Sequence, residues 1–355
     1  MSSSDPRAAG RRFLVILFAG LTLMLGGVIT ATALVDPTGL LVGAGWSPGL
    51  CVPGIKDPGS SAFTDARIRL YQPREIFVGS SRVMRGFDPD SLAGPGSQTA
   101  MNLGFSGATM ADVDVIVRNA VANAPVERVW IGLDFGAFVT TERNRHPATT
   151  TIRLASGRNE ALAMGLLSPQ AQQATLKVLL HPASCQVPPV DARGFANPAA
   201  APLARIDPAI LPNPTLRARM RAPWHRTPTD RKNLYAGELA RFTRLMAELK
   251  RRNIAVILFV GPTHPAYDSL VAEAGLTRFR VRWRADVARI AREQGAVLVP
   301  ADRSDFLATL PGLPANCDAT PADCAFYDAT HFRPFVGTAI IREGRRRSGS
   351  PTDPR

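Results

Sequence analysis

The chain of 355 residues has little lysine, cysteine or histidine: four lysines against 38 arginines, four cysteines and five histidines. No Cys-x-x-Cys pair occurs, so the thiolate spacing of structural zinc sites is missing and no metal is expected. Aromatic residues make up 7% and charged residues 20%, while 45% are hydrophobic. That is too apolar for a disordered chain and too aperiodic for a fibre. No internal repeat is visible. The formal charge is +13, which invites a nucleic-acid reading, but the arginines are scattered and form no basic stripe interleaved with aromatics. No nucleic acid is expected as a partner.

The hydrophobicity is unevenly spread. Phe13 to Val35 holds 23 residues without a charge, and as a helix it reaches about 35 Å, enough for a hydrocarbon core of about 30 Å. Arg7, Arg11 and Arg12 precede it, and Lys56 is the first cation beyond it. The positive-inside rule keeps residues 1–12 in the cytoplasm and exports the rest. The expected organisation is therefore an anchor at 13–35, a Gly- and Pro-rich tether at 36–66, a folded domain at 67–343 and a disordered tail at 344–355. A cleaved signal peptide is the alternative, since Ala31-Thr32-Ala33 has the small-x-small form of a cleavage site, but its apolar run is long for one. An even cysteine number in an exported chain favours disulfides. Cys317 and Cys324 bracket NCDATPADC and suit a small ring, which leaves Cys51 and Cys185 as a second pair. Four cysteines allow three connectivities.

Within the domain, apolar runs and helical periodicity alternate. EIFVG (75–79), TAMNL (99–103), RVWIGL (128–133), IAVILFV (254–260) and 296–299 read as buried strands. Residues 111–124, 238–253 and 277–294 read as helices. This order predicts an α/β fold: three layers around a mostly parallel five-stranded sheet, joined by right-handed crossovers. Residues 139–232 break the pattern with helices near 160–167 and 168–180 and a Pro- and Arg-rich stretch. They predict an insertion over the sheet, as a cap on the active site.

In an open parallel sheet the ligand sits outside the carboxyl ends of the strands. There the sequence offers Gly79-Ser80-Ser81-Arg82, then Asn102-Leu103-Gly104-Phe105-Ser106-Gly107, then Gly132-Leu133-Asp134-Phe135, then Gly261-Pro262-Thr263-His264, and late in the chain Asp328-Ala329-Thr330-His331. A serine becomes a nucleophile at neutral pH when a base takes its proton, and the base needs an orienting partner. Asp328 and His331 have the spacing for a carboxylate to hold one ring nitrogen while the other faces Ser81. The N–H groups of Ser81 and Gly107 are candidate oxyanion donors. Plainer roles stand beside these. Ser81 can simply cap the next helix, His331 can be a solvated surface residue, Gly107 can serve a turn, and Trp283 can be packing. Arg82, Asp134 and His264 suit substrate binding or structural roles equally.

Taken in order, these motifs resemble the SGNH (GDSL-like) hydrolase superfamily over roughly residues 70–340. FVGSSR stands where the family has Gly-Asp-Ser, with Ser80 at the aspartate position and Ser81 at the nucleophile. NLGFSGAT is similar to the glycine block, with Gly107 as donor, and DATH supplies Asp328 and His331. The third block is normally Gly-x-Asn-Asp; here Asp134 replaces the asparagine, and a carboxylate cannot donate to an oxyanion. Asn102 is the substitute donor considered. Val35-Asp36-Pro37 followed by GSSR also resembles membrane-anchored members of Gram-negative bacteria; the wider group includes proteins that O-acetylate alginate and others that assist D-alanyl transfer to teichoic acids. The resemblance implies a flavodoxin-like SGNH fold and a periplasmic serine esterase or O-acyltransferase, held at the inner membrane by one helix. It implies no cofactor, an acylated carbohydrate or lipid substrate, and envelope-assembly partner proteins. An inactive relative that binds polysaccharide or assists its assembly is the alternative.

Overall fold

Five apolar runs become five short strands, the first four largely buried on both faces and the last half-buried at the sheet edge. The computed structural model describes residues 6–37, 39–43, 61–93, 100–139, 157–181, 193–196, 228–310, 325–326 and 330–349. The chain runs α1 (Pro6–Val35), α2 (Leu40–Gly43), α3 (Ser61–Tyr71), β1 (Glu75–Val78), α4 (Ser81–Gly86), α5 (Asp90–Ala93) and β2 (Ala100–Asn102). It continues through α6 (Met110–Asn123), β3 (Arg128–Gly132), α7 (Phe135–Val139), α8 (Arg158–Leu166), α9 (Pro169–Leu180) and α10 (Pro228–Arg251). The last elements are β4 (Ala255–Val260), α11 (Pro265–Glu273), α12 (Thr277–Gln294), β5 (Val297–Pro300), α13 (Ser304–Ala308) and α14 (Pro334–Arg347).

The strand order is β2-β1-β3-β4-β5, and every pairing is parallel. Ile76 lies level with Met101 and Val129, and Ile131 with Leu258. Alternate residues feed two cores. Ile76, Val78, Val129, Ile131 and Leu258 face a core completed by α6, α10 and α12. Phe77, Trp130, Ile257 and Phe259 face a second core completed by Val83 of α4 and by Val336, Ile340 and Ile341 of α14. The sheet is thus the middle of three layers.

Local chemistry sets the helix ends. Thr109 and Asp112 form a reciprocal capping box at the start of α6, and the helix stops ahead of Pro125, whose ring disfavours helical backbone before it. Gly295, at φ +70°, closes α12 in the left-handed conformation. Pro334 opens α14 at a position where its missing N–H costs nothing. Trp283 is packing: it is buried between Phe135 and Phe138, both rings 5.7 Å away.

Three segments differ from the sequence expectation. Residues 344–347 continue α14 instead of starting a disordered tail. Gly344 has no Cβ, so the helix can lie directly on the Trp130 ring. The first part of the expected tether is docked: Asp36 is fully buried, its carboxylate accepts from Leu41 N–H at 2.9 Å, and the Tyr71 hydroxyl donates to the Gly39 carbonyl at 2.8 Å. The described part of the insertion does not pack as a single cap. Helices α8 and α9 pack against α3 and α1, while residues 193–196 cover the outer edge of β2, where Asn102 N–H donates to the Arg193 carbonyl at 2.8 Å. That contact occupies an edge strand's free backbone groups.

Helix α1 stands apart. Gly10–Val35 has a mean hydropathy of 2.4 and is long and apolar enough to cross a membrane, with its apolar window unburied. Only its last turn enters the domain, at Thr32 and Val35.

Phe259 is 2% exposed and its ring lies 4.5 Å from that of Phe87. Phe259→Ala is expected to cost about 3–5 kcal/mol in denaturant unfolding followed by tryptophan fluorescence. Val281→Ala, on the 60% exposed outer face of α12, is expected to stay within about 0.5 kcal/mol.

Candidate active site

In this strand order the chain leaves β1 toward β2 and leaves β3 toward β4, so the crossovers diverge between β1 and β3, and the carboxyl ends of these two strands are the switch point where such sheets bind ligands. The loops after these two strands are tied together there. Ser80 Oγ donates to Asp134 Oδ2, and Arg82 Nη1 pairs with Asp134 Oδ1 at 2.5 Å. Arg82 Nη2 also donates to the Pro262 carbonyl, which brings in the loop after β4. Gly79 and Gly132 make this closeness feasible, because a Cβ on either would collide with the Val83 side chain.

Ser80, not Ser81, is the N-cap of α4. Its backbone is extended at φ −80° and ψ −169°, and its hydroxyl accepts from Arg82 N–H at 3.3 Å. Ser81 is therefore not consumed as a cap. Its Oγ lies 2.7 Å from His331 Nε2 across 250 residues of sequence. As the first residue of α4, it has a backbone N–H with no intrahelical acceptor.

His331 is held from behind by its neighbour. Phe332 is fully buried, packs edge-on to Phe87 at 5.8 Å, and lies under the Arg82 guanidinium at 5.6 Å. Gly86 and Gly261 flank the ring, and a Cβ on either would strike it. The backbone is pinned as well: Arg333 N–H donates to the Ala325 carbonyl at 2.8 Å, and Phe326 bridges Phe332. His331 Nδ1 lies 3.2 Å from Thr330 Oγ1. Asp328 and the four cysteines Cys51, Cys185, Cys317 and Cys324 lie outside the described residues.

The remaining candidates separate clearly. Asn102 is not brought to the oxyanion position: it is buried, and its amide donates to the carbonyls of Val83 at 2.8 Å and Phe87 at 2.7 Å while its Oδ1 accepts from Gly104 N–H. It splints α4 to β2 instead. Gly107 sits at φ +73° in an exposed turn with open space around it. The same loop is stitched to the loop after β1 through Phe105 N–H and the Gly79 carbonyl at 3.1 Å. Asp134 is engaged as an acceptor by both Ser80 and Arg82. His264 is half-buried and meets Phe326 edge-on at 5.8 Å, beside the strand-like segment that carries His331. Burial pushes the Tyr267 phenol, next to Arg82 and Asp134, up to about 12, so it stays protonated in the physiological range.

Phe332 and the Ser80–Asp134 link are not among the features that the sequence singles out. The first had a signal, a large aromatic beside a candidate base. The second had none, since it depends on β1 and β3 being neighbours. Among the described residues no group of three or more His, Cys, Asp or Glu is placed to hold a metal ion. The arrangement places a hydroxyl beside an imidazole within reach for proton transfer, and leaves the Ser81 backbone N–H without an intrahelical acceptor. No protein-family model matches the chain, and no curated protein matches it either.

Asn102→Asp keeps the side-chain size but turns the amide nitrogen, which donates both hydrogen bonds, into one carboxylate oxygen facing the Val83 and Phe87 carbonyls. It is expected to destabilise the fold by about 1–3 kcal/mol, read from the denaturation midpoint, with recovery on acidification as the new carboxylate protonates.

Proposed function

We propose that the chain is a membrane-anchored serine esterase or O-acyltransferase of the SGNH type, acting on acyl esters of a cell-envelope glycan. The observation that carries this reading is Ser81 Oγ at 2.7 Å from His331 Nε2, within reach for proton transfer, at the crevice where an α/β sheet of this strand order binds its ligands.

In the proposed reaction His331 Nε2 takes the Ser81 proton as Oγ attacks the acyl carbonyl. The tetrahedral oxyanion is met by the N–H groups of Ser81 and Gly107. Collapse breaks the ester bond, and His331 returns the proton to the departing alcohol, which leaves an acyl-Ser81 ester. Water then gives hydrolysis, and a sugar hydroxyl gives transfer. Asp328, three residues before His331, takes the role of orienting the imidazole by the family resemblance. Asp134 only accepts, so it contributes no third donor; its task in this reading is to hold Arg82 and the nucleophile loop in place. The membrane setting rests on α1, and the arginines before it favour an inner-membrane anchor with the domain in the periplasm.

The missing third donor also supports a second reading, an inactive member that binds envelope polysaccharide or assists its assembly. A fluorophosphonate probe separates the two. The full chain in detergent is expected to label at Ser81 and to release acetate from an O-acetylated glycan. Ser81→Ala is expected to abolish labelling, and His331→Ala to slow it by about three orders of magnitude or more. A folded chain that neither labels nor releases acetate would favour the binder.

A further inference from the structure

Outside α1, six large hydrophobic side chains are exposed among the described residues, and four of them fall in one stretch: Leu167 at 39%, Leu176 at 56%, Leu179 at 56% and Leu180 at 63%. Three of these are spaced i, i+3, i+4 on α9 and form one stripe. A different stripe of the same helix, Ala171, Thr175 and Val178, is buried in the protein. The sequence of α9, PQAQQATLKVLL, holds no acidic residue and a single cation, Lys177.

The position of this stripe says what covers it. Helix α9 is fastened to the end of α1: Gln172 Nε2 donates to Thr32 Oγ1 at 3.0 Å, and Val178 packs on Val35. A hydrocarbon core of about 30 Å takes about 20 helical residues. Counted from Phe13, the first residue after Arg12, that length ends close to Thr32. The contact with α9 therefore falls where α1 leaves the hydrocarbon. An apolar stripe at that level meets acyl chains and headgroups, and a lysine on such a helix can extend its ammonium toward lipid phosphates.

We infer that α9 is a second membrane contact, an interfacial helix whose Leu176, Leu179 and Leu180 bed into the same leaflet from which α1 emerges. The inference rests on α1 spanning the bilayer and is independent of the chemistry at Ser81. It gives the domain a fixed seat on the membrane in place of a swivel about one helix.

The test uses the full chain in bacterial membranes with photoreactive benzoylphenylalanine placed singly at Leu180, at Leu23 in α1, or at Val281 on the far helix α12. After irradiation, phospholipid-mass adducts are expected at Leu23 and Leu180 and none at Val281. Lipid adducts at Leu23, with Leu180 joined to a polypeptide or as unreactive as Val281, would overturn the seat and leave the anchor standing. An absence of lipid adducts at Leu23 would overturn both.

Discussion

The pairing of Arg82 with Asp134 is the constraint around which the site is organised. Both side chains are largely buried, at 12% and 19% exposure. Removing one partner from such a pair strands a charge and typically costs about 3–5 kcal/mol, so the loops that carry them move together or not at all. Arg82 follows β1 and Asp134 follows β3; the second arm of the guanidinium reaches the loop after β4. Three adjacent strand ends are thus locked to one another one residue away from Ser81. The ion pair is weak evidence for global stability, because desolvation offsets much of its attraction. What it secures is geometry, and Ser80 adds to this by capping α4 and donating to the same carboxylate. With Ser80 in that role, Ser81 faces His331.

The other half of the site is positioned by packing. An imidazole brought to a hydroxyl from 250 residues away in sequence needs a rigid support, and Phe332 provides it. Its ring belongs to the aromatic cluster of Phe77, Phe87, Trp130 and Phe259, beneath a guanidinium that faces its π-cloud. Tight interiors deform little, so one residue beside a buried ring inherits much of its fixity. The polar lock on one side and the aromatic lock on the other share Arg82, which touches both Asp134 and Phe332.

Much of this was legible in the sequence. Strands buried on both faces show themselves as uninterrupted apolar runs, and the five in this chain were readable within a residue or two of their ends. Ser81 and His331 stand out in the sequence because each lies in a short polar motif after an apolar run or near the end of the chain, and the structure brings their side chains together. Asn102 was not. An amide after a strand looks the same whether it donates to a substrate or to the carbonyls of a neighbouring helix, and only the path of residues 83–87 decides. The end of α14 was misread because Gly344 and the arginines around it resemble a solvated tail, whereas Gly344 is there for the Trp130 ring, and Glu343 gathers Arg346 and Arg347 at 2.7 and 2.6 Å. The start of the expected tether differs for a related reason. Small and Gly/Pro-rich residues signal loops, but Asp36 and Tyr71 turn that loop into a docked one.

That docking links the two ends of the functional proposal. From α1 the chain makes a short buried turn at Asp36 and Pro37 and then α2, which packs on α3. Helix α3 contacts α8 and α6 and leads into β1, whose far end carries Ser81. At each described step the connection is made by buried side chains or by hydrogen bonds, so orientation at the end of α1 is transmitted to the sheet. In the proposed membrane setting a domain so attached would present the Ser81 face at a set height and angle, and its substrate would have to be brought there, either as a polymer passing close to the membrane or by a partner that emerges there. If α9 is seated on the membrane as inferred above, the same attachment would keep its exposed leucines beside lipid, whereas in a domain rotating freely about α1 they would spend their time in water.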